Sequence, residues 1–153
     1  TGARQDERES FLLDGGAPFY RTYETADGGY MAVGAIEPQF FAQLLAGLDL
    51  RADEVPGQFD RERHPEMRRL FTERFASRTR DEWTEVFAGT DACVTPVLTW
   101  TEAARSEHLL ARRTLIEVDG TEQAAPAPRF SRTPPGPVRK PPQATTELHE
   151  VGW

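Results

Sequence analysis

The chain has 153 residues, about one domain by length, but only 38% are hydrophobic and the mean hydropathy is -0.59, so its core must be modest. Its 25 acidic residues outnumber 18 basic ones for a net charge of -7, and the basic residues, nearly all arginine, are scattered, which excludes a nucleic-acid groove. With no apolar run near the roughly 20 residues a bilayer span needs, no signal-peptide layout and a single cysteine, the sequence excludes a membrane span, an internal disulfide and a multi-cysteine metal site, and a cytoplasmic protein is expected.

The chain opens on Thr1 rather than Met, and its charged start leads straight into Phe11-Leu12-Leu13. That layout predicts a leader, residues 1–14, entered partway through a larger polypeptide. Asp14-Gly15-Gly16-Ala17-Pro18 is turn chemistry, because glycine accepts unusual backbone angles and proline fixes the next one. Phe19 to Thr25 and Tyr30 to Gly34 then read as two strands of a hairpin closed around Asp27-Gly28. Phe41, Leu44, Leu45 and Leu48 recur at helical spacing behind Pro38, which predicts a helix over about 38–47.

A polar stretch to His64 precedes a second helix, started by Pro65 and carrying Met67, Leu70, Phe71 and Phe75 on one face. Thr79 and Glu82 form a capping box ahead of Trp83, Val86 and Phe87, so a third helix follows. Ala92 to Leu98 reads as a buried strand in which Pro96 must take an edge or a bulge. A second capping box, Thr99 with Glu102, predicts a short helix, and Thr114 to Val118 a further strand before Asp119-Gly120. From Pro126 to Pro142 the chain holds seven of its 12 prolines and no acidic residue, which predicts an extended linker. Thr145 to Trp153 has the look of a helix start. The expected class is α+β, a short antiparallel sheet with several helices, arranged as a small domain over 15–125 and a proline-rich return linker over 126–153.

Candidate chemistry is sparse. His64, His108 and His149 stand far apart without ligand-spaced partners, so surface or capping roles are expected. Cys93 has no neighbouring His, Lys or Arg and is expected to pack in the core. No nucleophile elbow, phosphate loop or dinucleotide fingerprint occurs. The residue that breaks a local rule is Glu37, which falls at the cap position of the helix begun by Pro38, where Ser, Thr, Asp or Asn caps better. Apolar Ile36, Phe40 and Phe41 surround it in sequence. Pattern alone reads it as an ordinary first-turn glutamate.

Three blocks carry a resemblance: Leu13-Asp14-Gly15-Gly16-Ala17-Pro18-Phe19-Tyr20, Val33-Gly34-Ala35-Ile36-Glu37-Pro38-Gln39-Phe40, and Thr90-Asp91-Ala92-Cys93-Val94-Thr95-Pro96-Val97-Leu98. In identity, order and spacing they resemble the alpha-methylacyl-CoA racemases of the family III CoA-transferase superfamily, over about residues 11 to 131. The resemblance implies the small domain of a two-domain, interlocked homodimer whose active site lies between the large domain of one subunit and the small domain of the other. It implies epimerisation at C2 of a 2-methylacyl-CoA thioester through an enolate, with the proton exchanged by a His and an Asp of the large domain. Coenzyme A is then part of the substrate, and no separate cofactor or metal is expected.

By the same resemblance Glu37 hydrogen-bonds the catalytic His, while Leu13, Tyr20 and Ile36 face the acyl group. The segments that would carry the His, the Asp and most coenzyme A contacts are not found in this sequence, so the isolated chain is expected to be inactive. Two other readings stay open: a portion of a family III CoA-transferase working through an aspartyl-CoA thioester, and a non-catalytic, truncated dimerisation module.

Overall fold

A computed structural model of the chain describes residues 8–140; the expected helix start beyond Thr145, with His149, lies outside the described residues. The described chain is mixed α+β, with five α-helices and two antiparallel sheets, and it divides into two compact units between Val97 and Leu98. That division falls earlier than the 125/126 boundary suggested by proline density.

In the first unit, β1 (Tyr20–Glu24) and β2 (Tyr30–Gly34) form the expected hairpin, and β3 (Val94–Val97) pairs with the far side of β2. The register sets Tyr20 opposite Gly34 and Tyr23 opposite Met31, and β2 in turn sets Met31 opposite Pro96 and Val33 opposite Val94. Alternation then sorts the two faces. Phe19, Tyr23, Met31, Val33, Ala35 and Val94 are buried, whereas Thr22, Glu24, Tyr30 and Thr95 are exposed on the other side. Because β3 is an edge strand, Pro96 costs the sheet no ladder partner. For the same reason β3 is not the buried strand its apolar composition suggested: of its four residues only Val94 is buried.

Three helices cover the inward face, each by the stripe its spacing foretold. They are α1 (Pro38–Gly47), burying Phe41, Leu44 and Leu45; α2 (His64–Phe75), burying Met67, Phe71 and Phe75; and α3 (Arg80–Phe87), burying Trp83 and Phe87. A short 3-10 turn, Arg61–Arg63, leads into α2. The centre of this core is aromatic. Tyr23 stacks on Phe75 at 4.9 Å, Phe75 meets Trp83 at 5.3 Å, and Trp83 lies 5.9 Å from Phe87. The buried polar tips are satisfied, since Trp83 Nε1 donates to the Phe75 carbonyl at 2.8 Å and Tyr23 Oη to the Pro18 carbonyl at 2.6 Å. Burial raises the Tyr23 phenol, so it stays a donor.

The hairpin turn also reaches across the fold. Its Asp27 carboxylate accepts from Thr25 Oγ1 at 2.6 Å and from the Arg80 amide at 3.1 Å, fastening the turn to the start of α3. These bonds hold the Asp27 carboxyl below its ordinary range. The Thr79–Glu82 capping box closes the same helix start as expected.

The second unit holds α4 (Trp100–Ala104), α5 (Glu107–Arg112) and the hairpin of β4 (Leu115–Val118) with β5 (Thr121–Ala124). The Thr99–Glu102 box caps α4 as expected, and Ser106 caps α5. β5 escaped the sequence reading because Thr121-Glu122-Gln123-Ala124 is polar and carries no alternation. Its turn is legible afterwards: Asp119 and Gly120 both take positive φ, as a two-residue hairpin loop requires. None of the described residues of this unit is buried.

Gly47 ends α1 against the Phe87 ring, which a Cβ there would overlap. Alanine gains at most ~1 kcal/mol of helix propensity over glycine, whereas overpacking a filled core costs about 1–3 kcal/mol. Gly47→Ala should therefore lower the urea midpoint with an unchanged m-value. An unchanged or higher midpoint would mean that Phe87 yields freely.

Candidate active site

Glu37 stands where β2 hands the chain to α1. It is the N-cap residue, with φ -74 and ψ 142, an extended geometry that the following Pro38 favours by steric exclusion of the helical region. Its carbonyl already belongs to the helix, accepting from Phe40 N at 3.0 Å and Phe41 N at 2.9 Å. Its carboxylate makes no cap hydrogen bond, and the side chain is exposed. The expectation that Glu37 occupies the cap position therefore holds, and the position is filled without any capping by its side chain.

The backbone beneath Glu37 is tied at every step. Gly34 N donates to the Cys93 carbonyl, Ala35 N to the Phe19 carbonyl, both at 2.9 Å, and Ile36 N to the Gly34 carbonyl at 3.0 Å. The Ala35 and Ile36 carbonyls accept from one side-chain amide, Gln58 Nε2, at 3.1 and 2.8 Å. Gln58 is in turn held through its own carbonyl, which accepts from His64 Nε2 at 2.9 Å. Since a carbonyl only accepts, that bond places the proton of His64 on Nε2. Gln58 gave no signal in the sequence, lying in a polar stretch without periodicity.

Tyr20, opposite Gly34, lines a hollow of about 560 Å³ on the outward side of the sheet, together with Asp14, Gly15, Ala32, Cys93 and Thr95. Gly34 lies beneath the Tyr20 ring, where an added Cβ would meet it at 3.8 Å, an ordinary packing contact. Ile36 is half-buried two residues beyond Gly34, so Tyr20, Ile36 and Glu37 share one end of the sheet. Leu13 is 62% exposed and lines neither this hollow nor its neighbour, although Asp14 lines the first and Leu12 the second. A second, more apolar hollow of about 540 Å³ lies beside it, walled by Phe11, Leu12, Phe19, Phe59 and the start of α2.

Between the two hollows runs the loop of residues 9–16, bound by arginines from the fold. Arg21 Nη1 donates to the Gly15 carbonyl at 3.1 Å and Arg68 Nη2 to the Gly16 carbonyl at 2.9 Å, and both reach Glu9 Oε2 at 3.2 Å. Inside the loop the Asp14 carboxylate collects the amides of Phe11 at 2.9 Å, Gly16 at 3.0 Å and Ser10 at 3.2 Å. Desolvation pushes the Asp14 carboxyl up, and the amide donors together outweigh it, so the group ionises below its ordinary range.

Cys93 departs from its expected place. Rather than packing in the core it is exposed, at φ 53, with its thiol 3.7 Å from the Asp91 carbonyl. The positive φ turns the chain just ahead of β3 and swings the side chain away from the buried row that Val94 joins. Desolvation, then the charges of Glu37 and Asp91, raise the thiol, so it is not an activated nucleophile. His64 serves Gln58, and His108 is exposed on α5. Among the described residues no three His, Cys, Asp or Glu side chains gather as a metal would require, and no helix is long and apolar enough to cross a membrane.

Known proteins give this geometry a context. The sequence pattern of CoA-transferase family III matches residues 1–147. The chain is 51% identical over 141 residues to the alpha-methylacyl-CoA racemase of Mus musculus, covering 91% of this chain and 37% of that protein. It is 50% identical over 130 residues to the alpha-methylacyl-CoA racemase of Homo sapiens, covering 84% of this chain and 34% of that protein. The chain thus spans about a third of the length of these curated relatives. Among solved structures, Rv3272 from M. tuberculosis superposes with a TM-score of 0.63 at 20% identity, over 77% of this chain and 34% of that one, a likeness of fold.

The Asp14 loop carries a pH dependence whose sign follows from the depressed ionisation. A carboxyl that ionises lower in the folded chain contributes order above its ordinary range and loses it as pH falls through the depressed value. Amide exchange at Phe11 and Gly16, corrected for intrinsic rates, should accelerate on that acid limb, and Asp14→Ala should reproduce the acceleration at neutral pH. Protection that ignores both changes would show that the arginines alone hold the loop.

Proposed function

Because this chain belongs to CoA-transferase family III, we propose that it is the small-domain portion of an alpha-methylacyl-CoA racemase, acting on 2-methylacyl-CoA thioesters. The observation that supports this most is identity of about half to two racemases across most of the chain. A CaiB/baiF CoA-transferase family protein of Caenorhabditis elegans is 33% identical over 121 residues, which ranks the CoA-transfer reading lower.

Inverting C2 requires a base on one face of the substrate and an acid on the other, so two groups must flank the α-carbon. The enolate between the two proton transfers needs preorganised donors at its oxygen. On this reading a His and an Asp from the large domain of a partner subunit exchange the proton, and Glu37 accepts a hydrogen bond from that His and stabilises its protonated form. A carboxylate that supports an imidazole without itself moving the substrate's proton is a known division of labour. Tyr20, Ile36 and Leu13 give the acyl group an apolar face. A homodimer and a cytoplasmic setting belong to the same reading.

What suits Glu37 to this role is the contrast between its fixed backbone and its uncommitted side chain. None of the described residues bonds its carboxylate, so a partner from outside can take it without displacing anything.

Two outcomes follow. The isolated chain should leave C2 deuterium incorporation in heavy water at the rate seen without protein; saturable exchange lost on changing His64 or His108 would contradict this. In a polypeptide of the relatives' full length carrying this chain, Glu37→Gln should slow exchange by about a hundredfold, the low end of general acid–base contributions, with little change in substrate affinity. Wild-type exchange by a folded, dimeric variant would reduce Glu37 to a helix-start residue.

A further inference from the structure

We propose that Gln58 is a positioning residue for Glu37, its single amide fixing the peptide from which that carboxylate projects. The inference rests on the reading of Glu37 given above and adds the residue that sets its aim.

Glu37 has extended backbone, an exposed side chain and no bond to another described side chain, so what this chain sets is the departure of its Cα–Cβ bond, through the two peptide planes that flank it. The plane after it is settled by α1, whose Phe40 and Phe41 amides take the Glu37 carbonyl. The plane before it contains the Ile36 carbonyl, which lies between β2 and α1 and belongs to neither. Pro38 offers no N–H with which to anchor the junction. Gln58 Nε2 supplies what is missing, donating at 2.8 Å to Ile36 O and at 3.1 Å to Ala35 O.

Every other bond in this segment is backbone to backbone and survives any side-chain change. The two carbonyls above hang on one side chain. Gln58 is itself preset: Val55 and Pro56 are buried just before it, its carbonyl takes the His64 Nε2 proton, and the ring of the next residue, Phe59, meets Phe19 at 5.7 Å. A half-buried amide that makes two bonds to consecutive carbonyls spans 22 residues of sequence for the sake of a two-residue turn. A structural role alone would satisfy those carbonyls and end there. A positioning role predicts that the loss travels through Glu37.

The test is a double-mutant cycle in the full-length polypeptide carrying this chain, read as C2 deuterium exchange of a 2-methylacyl-CoA with kcat and KM separated. Gln58→Met keeps the length of the side chain and removes both donors. Since a displacement of about 1 Å at a reacting group can cost a hundredfold, kcat should fall ten- to a hundredfold in order of magnitude, with KM within about twofold. In the Glu37→Gln background the same change should cost less than about twofold, because there the carboxylate being aimed is already gone. Should Gln58→Met not yield folded dimer, Gln58→Asn, too short to reach both carbonyls, replaces it in the cycle.

If Glu37→Gln slows exchange while Gln58→Met leaves kcat unchanged, the proposal is overturned and the role of Glu37 stands. Full multiplicative losses in the double variant overturn it equally, since Gln58 would then act on something else. If Glu37→Gln itself has no effect, the reading of Glu37 fails and takes this inference with it.

Discussion

Phe19 is the side chain through which the first unit is organised. It is fully buried, and its ring takes edge-to-face contacts from Phe41 at 5.8 Å, Phe59 at 5.7 Å and His64 at 5.8 Å. One residue ahead of β1 it thus draws together α1, the loop that follows it and the start of α2. Such pairs contribute about 0.5–1.5 kcal/mol each beyond the burial of their area. Its carbonyl accepts from Ala35 N, so the same residue also registers the end of β2. The turn that carries Glu37 is attached to the core at this point.

The sheet has one face to bury, and three helices bury it. Everything that looks like a site lies at the border between that face and the open one. Tyr20 and Gly34 belong to the outward row, and Phe19 and Ala35 to the inward row, one residue away. Ile36 and Glu37 leave the sheet where that alternation ends. The border is also where the Asp14 loop is pinned, by arginines rather than by apolar packing. Exposed ion pairs such as those to Glu9 add little, so the loop's order rests on the arginine bonds to the Gly15 and Gly16 carbonyls together with the amides gathered by Asp14.

Much of this could be read in the residues. The hairpin, the bounds of α1 and both capping boxes follow from local chemistry, because proline, glycine and Thr-x-x-Glu act within a turn. The reading weakened where placement depends on distant partners. An apolar run at Ala92 to Leu98 looks buried, but an edge position exposes half of it, and a positive φ at Cys93 turns the thiol outward. Glu37 drew attention as a poor cap, and the three matched sequence blocks gave it a role that pattern alone would not. Gln58 left no trace, since a glutamine that bonds carbonyls 22 and 23 positions away obeys no periodicity. β5 was hidden for a related reason, its pairing with β4 being backbone work done by polar residues.

The proposed site has an energetic logic of its own. In water an exposed carboxylate without a partner costs nothing, so leaving Glu37 free does not burden the fold. Docking a second domain over it changes that balance, because a charge removed from water without compensation costs several kcal/mol. Compensation must come from a donor, and preferably a positive one, on whatever covers this edge of the sheet. A protonated imidazole meets that requirement, and a neutral apolar surface does not. The same end of the sheet carries half-buried Tyr20 and Ile36, and the Cys93 thiol, raised by desolvation and then by the charges of Glu37 and Asp91, stays neutral. On the proposed reading, a negative charge held on a fixed backbone, with no partner among the described residues, would favour a cationic hydrogen-bond donor on a surface docked against it.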